Sequence, residues 1–188
     1  DATDNAVAAG QTTGNITLND EELPTIASSA LASSNAYVDV TISEATYTTT
    51  GGAGALVAGD FALAFVQNAG AATNAVIASI TDNANAALSG GELVIRVHMT
   101  ITGTPSGVET VEIQPASGAA IYDANNNAMA AAQTTGTITL NDQAVPTIAS
   151  SALASTNAYV DMTISEATYT TTGGAGALVA GDFSLAFT

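Results

Sequence analysis

Cysteine, tryptophan and lysine are all missing from this chain of 188 residues, and its one arginine and one histidine are Arg96 and His98. Without cysteine, no disulfide framework can support the fold. The 17 acidic residues leave a formal net charge of −16. Nucleic acid and anionic membrane surfaces are therefore poor partners, because no basic patch exists to neutralise phosphate groups. So large an excess of negative charge favours the binding of cations.

Long apolar runs are also lacking, since none approaches the roughly 18 residues of a transmembrane helix. We therefore expect no direct membrane insertion. Aromatic residues make up only 5% of the chain, too few to line a sugar-cleaving cleft. The glycine-rich segment at 51–56 lacks the lysine of a phosphate loop, and no serine stands in a G-x-S-x-G motif. These absences predict that the chain is not an enzyme.

The two basic residues are expected to have structural roles. His98 has no cysteine or second histidine to share a metal, so we interpret it as a residue on the polar face of a strand. Arg96, two residues earlier, is expected to share that face. We predict that it pairs with a cross-strand acid such as Glu109 or Glu112.

The strongest signal present is an internal repeat. Residues 11–66 recur as residues 133–188, a spacing of 122 residues, and the two copies differ at eight positions. The similarity extends backward, where DATDNAVAAG at 1–10 matches DANNNAMAAA at 123–132. Such near-identity indicates a tandem array of repeats. The chain begins and ends in mid-repeat, so we expect it to be a portion of a longer array.

Each repeat carries segments of alternating apolar and polar residues, separated by Gly, Asn, Ser and Pro. We predict about seven strands and no helix, at 24–31, 36–43, 60–66, 75–81, 92–101, 108–114 and 134–140. The first should be an edge strand because of Pro24. The pattern is typical of a β-sandwich. We divide the chain into residues 1–22 (last strand and linker of a preceding repeat), 23–142 (a complete repeat) and 143–188 (first strands of the next).

Three motifs in order resemble the bacterial immunoglobulin-like domains of large cell-surface proteins and biofilm adhesins. They are VDVTISEA at 38–45, AGDFALAF at 58–65 and GVETVEIQPASGAAIYDANNNAMA at 107–130, followed by a strand ending in LND. The resemblance implies an all-β, immunoglobulin-like sandwich and an extracellular, cell-surface location. One departure is that Asn126 stands where the family's D-x-x-G-N loop has glycine. Asparagine tolerates positive φ, so we expect the turn to form.

Acidic residues are expected to gather at one pole of each sandwich. In an immunoglobulin-like order, the incoming linker, the end of the second strand and the loop before the last strand meet there. The predicted metal ligands are Asp20, Glu22, Glu44, Asp60 and Asp123, and at the next junction Asp142, Glu166 and Asp182. Calcium prefers six to eight such oxygen ligands, with a dissociation constant of about 10⁻⁴ to 10⁻³ M in extracellular modules. In the alternative interpretation, Glu44 and Asp123 hydrogen-bond loop amides and the linker acids are solvated.

Three functions fit these features. The first is a structural repeat in a surface stalk or filament, stiffened by calcium at acidic junctions that loosely resemble those of cadherin-like modules. The second is an adhesive module that binds glycan or another cell, for which Tyr37, Tyr47, Tyr122 and the threonine-rich loop at 46–52 are the candidates. The third is a subunit that assembles through edge strands into a filament or surface layer. The expected partners are neighbouring copies of the repeat and, in the third case, other chains of the same protein.

Overall fold

The computed structural model describes residues 9–186, which fall into two compact units with the boundary between Asp142 and Gln143. Each unit is described by itself. The fold is nearly all β, with antiparallel sheets and no α-helix among the described residues. Residues 1–8, assigned above to the preceding repeat, lie outside the described residues. No helix within residues 9–186 has the length and apolar character needed to cross a lipid bilayer.

Unit 1 contains two sheets. The strands are β1 (Ile26–Leu31), β2 (Tyr37–Ile42), β3 (Phe61–Val66), β4 (Asn74–Thr81), β5 (Val94–Thr102), β6 (Thr110–Pro115) and β7 (Ile138–Thr139). One sheet has the order β1-β2-β5-β4 and the other the order β3-β6-β7. A strand forms in each segment whose alternation predicted one. The edge position of β1 is also confirmed, as Pro24 indicated.

The core lies between the inner faces of the two sheets. Val38 and Val40 of β2, Ile95 and Val97 of β5, and Ile113 of β6 are all completely buried. They occupy alternate positions in their strands because successive side chains of a strand point to opposite faces. Burial of each such side chain contributes roughly 1.5–3 kcal/mol. This arrangement supports a β-sandwich-like fold.

The connections of unit 1 define its two ends, here called the N-terminal pole and the C-terminal pole. At the N-terminal pole, the β2–β3 connection meets the loop at 121–127 through reciprocal backbone hydrogen bonds between Tyr47 and Tyr122, at 2.7 and 2.9 Å. At the C-terminal pole, the turn at 32–36 between β1 and β2 lies against Asn141. The incoming and outgoing segments therefore contact opposite poles.

Unit 2 repeats the first hairpin of unit 1. Strand β8 (Ile148–Leu153) pairs with β9 (Val160–Ile164) in the register of β1 and β2, with the irregularity at the same place. The environment nevertheless differs. Val160 is 45% exposed, whereas its counterpart Val38 is completely buried. Within the described part of unit 2, no strand corresponds to β5 or β6, which cover that face in unit 1.

Candidate metal-binding site at the N-terminal pole

Three carboxylates meet at the N-terminal pole of unit 1. Asp20 belongs to the incoming segment, Glu44 follows β2, and Asp123 lies in the loop that follows β6. One oxygen from each lies within 4.8 Å of the other two. The Tyr47–Tyr122 backbone bridge explains how the last two residues meet, since each tyrosine is close in sequence to one of them.

Asp123 shapes its own loop through three hydrogen bonds. The backbone N–H groups of Asn125 and Asn127 donate to its Oδ1 at 2.8 and 2.7 Å, and Asn127 Nδ2 donates to its Oδ2 at 2.8 Å. The carboxylate is 1% exposed. Asn126 has φ 77°, so the turn forms with asparagine at this position, as expected. For Asp123, the interpretation as an acceptor of loop hydrogen bonds is confirmed.

Glu44 is different, because its Oε1 is buried and has no hydrogen-bond partner. Burial raises the pKa of Glu44, and the charges of Asp123, Asp20 and Glu22 raise it further. A buried carboxylate oxygen without a donor is costly, since water no longer solvates it. A cation beside Glu44 would remove that cost. The loop-bonding interpretation therefore does not account for this residue.

Asp20 is held against the loop by two asparagine side chains. Asn125 Nδ2 donates to the Asp20 carboxylate and Asn127 Nδ2 donates to the Asp20 backbone oxygen, each at 3.1 Å. Asp20 itself is exposed. The incoming segment is thus attached to the body of the repeat by side chains that also lie beside the three carboxylates.

The spacing of the three carboxylates fits a single calcium ion. Calcium–oxygen distances of 2.3–2.6 Å allow two ligands of one ion to be up to about 5 Å apart. The three carboxylates supply hard oxygen ligands of the kind that calcium prefers, and calcium accepts water for the remainder.

The other predicted ligands of unit 1 have different surroundings. Glu22 is exposed and acts on Glu44 through its charge. Asp60 accepts hydrogen bonds from Thr48 Oγ1 at 3.2 Å and from the Val57 N–H at 2.8 Å, in a 3₁₀ turn before β3. Neither belongs to the group formed by Asp20, Glu44 and Asp123.

The second predicted junction involves residues of both units. Asp142 ends unit 1, and Glu166 and Asp182 belong to unit 2. Asp182 repeats the role of Asp60, because its Oδ2 accepts a hydrogen bond from the Val179 N–H at 2.8 Å. The second calcium site stays a prediction.

Arg96 does not pair as predicted. Its guanidinium donates to both carboxylate oxygens of Asp39, at 2.7 and 2.9 Å, and lies 3.9 Å from the centre of the Tyr37 ring. The expected partners, Glu109 and Glu112, were wrong because β5 lies beside β2, which places Asp39 opposite Arg96. Both glutamates belong to the other side of the sandwich. His98 accepts or donates a hydrogen bond with Thr81 Oγ1 at 3.0 Å and contacts the Tyr37 ring edge-on.

Glu109 has a structural role that the sequence did not indicate. Its carboxylate is completely buried and accepts hydrogen bonds from the N–H groups of Ala72 and Ser106, at 2.7 and 2.9 Å. Burial alone would raise the pKa of Glu109, but these amide hydrogen bonds lower it to about 2. The residue therefore ties two loops together as a carboxylate. No sequence motif marks such a contact, because its donors are scattered along the chain.

Comparisons of the chain with protein-family models, with curated proteins and with solved structures find no match. The function is therefore inferred from the residues and their geometry.

Proposed function

We propose that this chain is a structural segment of an extracellular surface protein, built of tandem immunoglobulin-like repeats that form a stalk or filament. Calcium bound by Asp20, Glu44 and Asp123 stiffens the place where each repeat begins. The near-identical copies at 11–66 and 133–188 support the array. The antiparallel sheets around one core support the sandwich.

One observation carries the calcium proposal. Asp20 comes from the incoming segment, whereas Glu44 and Asp123 come from the body of the repeat, and all three converge beside the unpartnered Glu44 Oε1. A cation at this point offsets three negative charges and joins the segment to the body. It also reduces the mobility of the segment, because the ligands lie on both sides of the connection.

The proposal is tested by thermal unfolding of the 188-residue chain in EDTA and in 10 mM calcium. With a dissociation constant of about 10⁻⁴ to 10⁻³ M, calcium at this concentration stabilises the folded state by roughly 1.5–3 kcal/mol. The same titration in magnesium is the control for general screening, because magnesium needs a tighter octahedral site. Equal midpoints in EDTA and calcium would contradict the calcium proposal.

Lateral assembly through edge strands is a second candidate, and one observation favours it. Strand β4, with the sequence NAVIASIT, lies at the edge of its sheet, contains no charged residue, and leaves Val76 48% exposed. Uncharged edge strands pair readily with other chains. A register irregularity between Ile77 and Ser79 works against this, since bulges twist an edge away from a partner.

Sedimentation velocity distinguishes a monomeric rod from lateral assembly. If β4 mediates assembly, the chain sediments as larger species in high salt, where the repulsion between chains of charge −16 is screened. Val76→Lys should then abolish those species. A monomer at every salt concentration favours the stalk.

The adhesive alternative receives less support from the aromatic residues. One face of the Tyr37 ring is covered by Arg96, and its edge packs against His98. Tyr47 and Tyr122 are half-buried at the N-terminal pole. A glycan array with the intact chain tests this alternative directly, and binding to a defined glycan class would support it.

A further inference from the structure

The tripeptide Leu-Asn-Asp occurs twice, as residues 18–20 and as residues 140–142. In unit 1, the two copies contact opposite poles and are held by different residues. The copy at 18–20 meets the N-terminal pole through its aspartate. The copy at 140–142 meets the C-terminal pole through its asparagine.

At the C-terminal pole, four hydrogen bonds hold Asn141. Its N–H and its Nδ2 donate to Asn35 Oδ1 at 2.8 and 3.0 Å, and its Nδ2 also donates to the Ala32 oxygen at 3.0 Å. Its backbone oxygen accepts from Asn35 Nδ2 at 2.8 Å. The side chain of Asn35 thus serves as donor and acceptor at once, through its amide nitrogen and its amide oxygen.

Asn35 is well placed for this role. It is 3% exposed, has φ 59°, and donates its N–H to the Ala32 oxygen at 2.9 Å, which closes the β1–β2 turn. Asparagine is among the few non-glycine residues that accept such a φ readily. The turn has the same geometry in unit 2, where Asn157 has φ 58° and donates to the Ala154 oxygen at 2.9 Å.

At the N-terminal pole, it is Asp20 that is held, by the Nδ2 groups of Asn125 and Asn127. Both donors belong to the repeat that begins at this point. The carboxylate and the backbone oxygen of the same residue are engaged, so the segment is fixed in orientation as well as in position.

We infer that each Leu-Asn-Asp junction is a two-sided latch between successive repeats. The asparagine is bound by the β1–β2 turn of the repeat that ends, and the aspartate, the next residue, is bound by the 123–127 loop of the repeat that begins. Two neighbouring repeats are then joined with no free residue between their attachment points. The partner is another copy of this repeat with asparagine at the positions of Asn35, Asn125 and Asn127.

This inference rests on the proposed function, since it requires consecutive repeats, but the latch itself uses amide hydrogen bonds and needs no metal. The sequence difference between the copies supports the assignment. The Leu-Asn-Asp tripeptide is unchanged, whereas the three residues that follow it change from EEL at 21–23 to QAV at 143–145. None of the latch bonds described above involves those three residues.

The test is NMR of the 188-residue chain in EDTA, with amide hydrogen exchange and ¹⁵N relaxation measured residue by residue. Asn35→Ala should accelerate exchange of the Asn141 amide at least tenfold. Asn157→Ala is the matched control, because it makes the same change in the same turn of unit 2 and should leave Asn141 unchanged. Unchanged exchange at Asn141 in Asn35→Ala would overturn the inference.

The other side of the latch is measured in the same way. The double variant Asn125→Ala, Asn127→Ala should lower the relaxation order parameters of residues 19–21 from those of a rigid segment to those of a flexible one. Equal order parameters in the parent and the variant would overturn this half. If either variant unfolds unit 1, Asn141→Ala and Asp20→Ala remove the same bonds from the linker side, where both residues are exposed.

The two proposals fail in different experiments. If protection of the Asn141 amide in EDTA depends on Asn35, and the melting temperature is equal in EDTA and in calcium, the latch is retained and the calcium proposal is rejected. If calcium raises the melting temperature but exchange of the Asn141 amide is the same in the parent and in Asn35→Ala, the calcium proposal is retained and the latch is rejected.

Discussion

Arg96 faces Asp39 across the neighbouring strands β5 and β2, and its guanidinium donates to both carboxylate oxygens while covering the ring of Tyr37. This pairing raises the pKa of Arg96, first through the hydrogen bonds to Asp39. The only arginine of a chain with net charge −16 is thus placed in a bidentate ion pair on the outer face of the larger sheet.

We predict that Asp39 and Asp161, which have nearly the same neighbours in sequence, respond differently to the same substitution. Asp39→Asn should lower the melting temperature by a few degrees, because it leaves the half-buried guanidinium with a weaker partner. Asp161→Asn changes the counterpart in β9, which is exposed, and should have no measurable effect. Circular dichroism melting of both variants measures the difference. Equal midpoints would show that the ion pair contributes nothing.

The buried carboxylate of Glu109 should make the stability of the chain depend on pH in a specific way. Because its folded-state pKa is lowered to about 2, its contribution is present above the ordinary carboxyl pKa of about 4.3 and is lost as pH falls towards 2. A shift of this size corresponds to at most about 3 kcal/mol. Glu109→Gln should therefore destabilise the chain at pH 6, and the difference from the parent should shrink towards pH 2.

The comparison with the parent matters, because protonating the other 16 acids relieves repulsion in both proteins. Urea unfolding at pH 6, 4 and 2 gives the difference at each point. Glu112→Gln, a change at a half-exposed position of β6, three residues after Glu109, is the control. A constant difference between Glu109→Gln and the parent over this range would contradict the lowered pKa.

We expect the addition of a single methyl group to have different effects on stability at two glycines. A Cβ on Gly70 would collide with the carboxyl group of Glu109, whereas a Cβ on Gly59 would meet no atom within 4 Å. Gly70→Ala should cost about 1–3 kcal/mol, since it displaces a buried carboxylate from its donors. Gly59→Ala should change stability by less than about 0.5 kcal/mol. Urea unfolding of both variants at pH 7 provides the measurement.

We expect one substitution at Glu44 to stabilise the chain. In EDTA, Glu44→Gln should raise the melting temperature, because it removes one of three converging negative charges, and a neutral amide is less costly to bury without a partner than a carboxylate. The same variant should lose most of the stabilisation by calcium. Glu112→Gln is the control, because Glu112 lies in β6 outside the group of three carboxylates, and it should leave the calcium response unaltered. A lower melting temperature of Glu44→Gln in EDTA would show that Glu44 has a stabilising partner.

The two hairpins, β1–β2 and β8–β9, have nearly the same sequence but should exchange their amide hydrogens at different rates. Val38 of β2 is completely buried and Val160 of β9 is 45% exposed, although their neighbours in sequence are nearly the same. Amides of β9 should therefore exchange faster than those of β2 by orders of magnitude, because local opening exposes less new surface. Hydrogen exchange with mass spectrometry resolves the two hairpins through their residue differences.

The strands could be predicted from sequence because their signal is local. Alternation of apolar and polar residues in segments such as 94–99 requires only knowledge of the neighbouring residues. The burial of Ile95 and Val97, with Arg96 and His98 on the other face, follows from that alternation. The order of motifs along the repeat also placed Asp20, Glu44 and Asp123 at one pole.

The contacts that were missed depend on sheet order and on distant loops. The partner of Arg96 follows from the adjacency of β2 and β5, which alternation does not reveal. The hydrogen bonds that Asp60 accepts from Thr48 Oγ1 and from the Val57 N–H were also not predicted. Asn35 and Asn141, separated by 106 residues, carry no sequence signal beyond the repetition of both.

The place of Arg96 in a central strand has a consequence for digestion. A protease of trypsin specificity cleaves only after lysine or arginine, so the 188 residues contain one target, the Arg96–Val97 bond. That bond lies in β5, with β2 on one side and β4 on the other, and Val97 is completely buried. Cleavage requires a segment that can be drawn out of the sheet. The folded repeat should therefore resist such proteases, because its one cleavable bond lies within the sheet. This resistance does not require a crosslink.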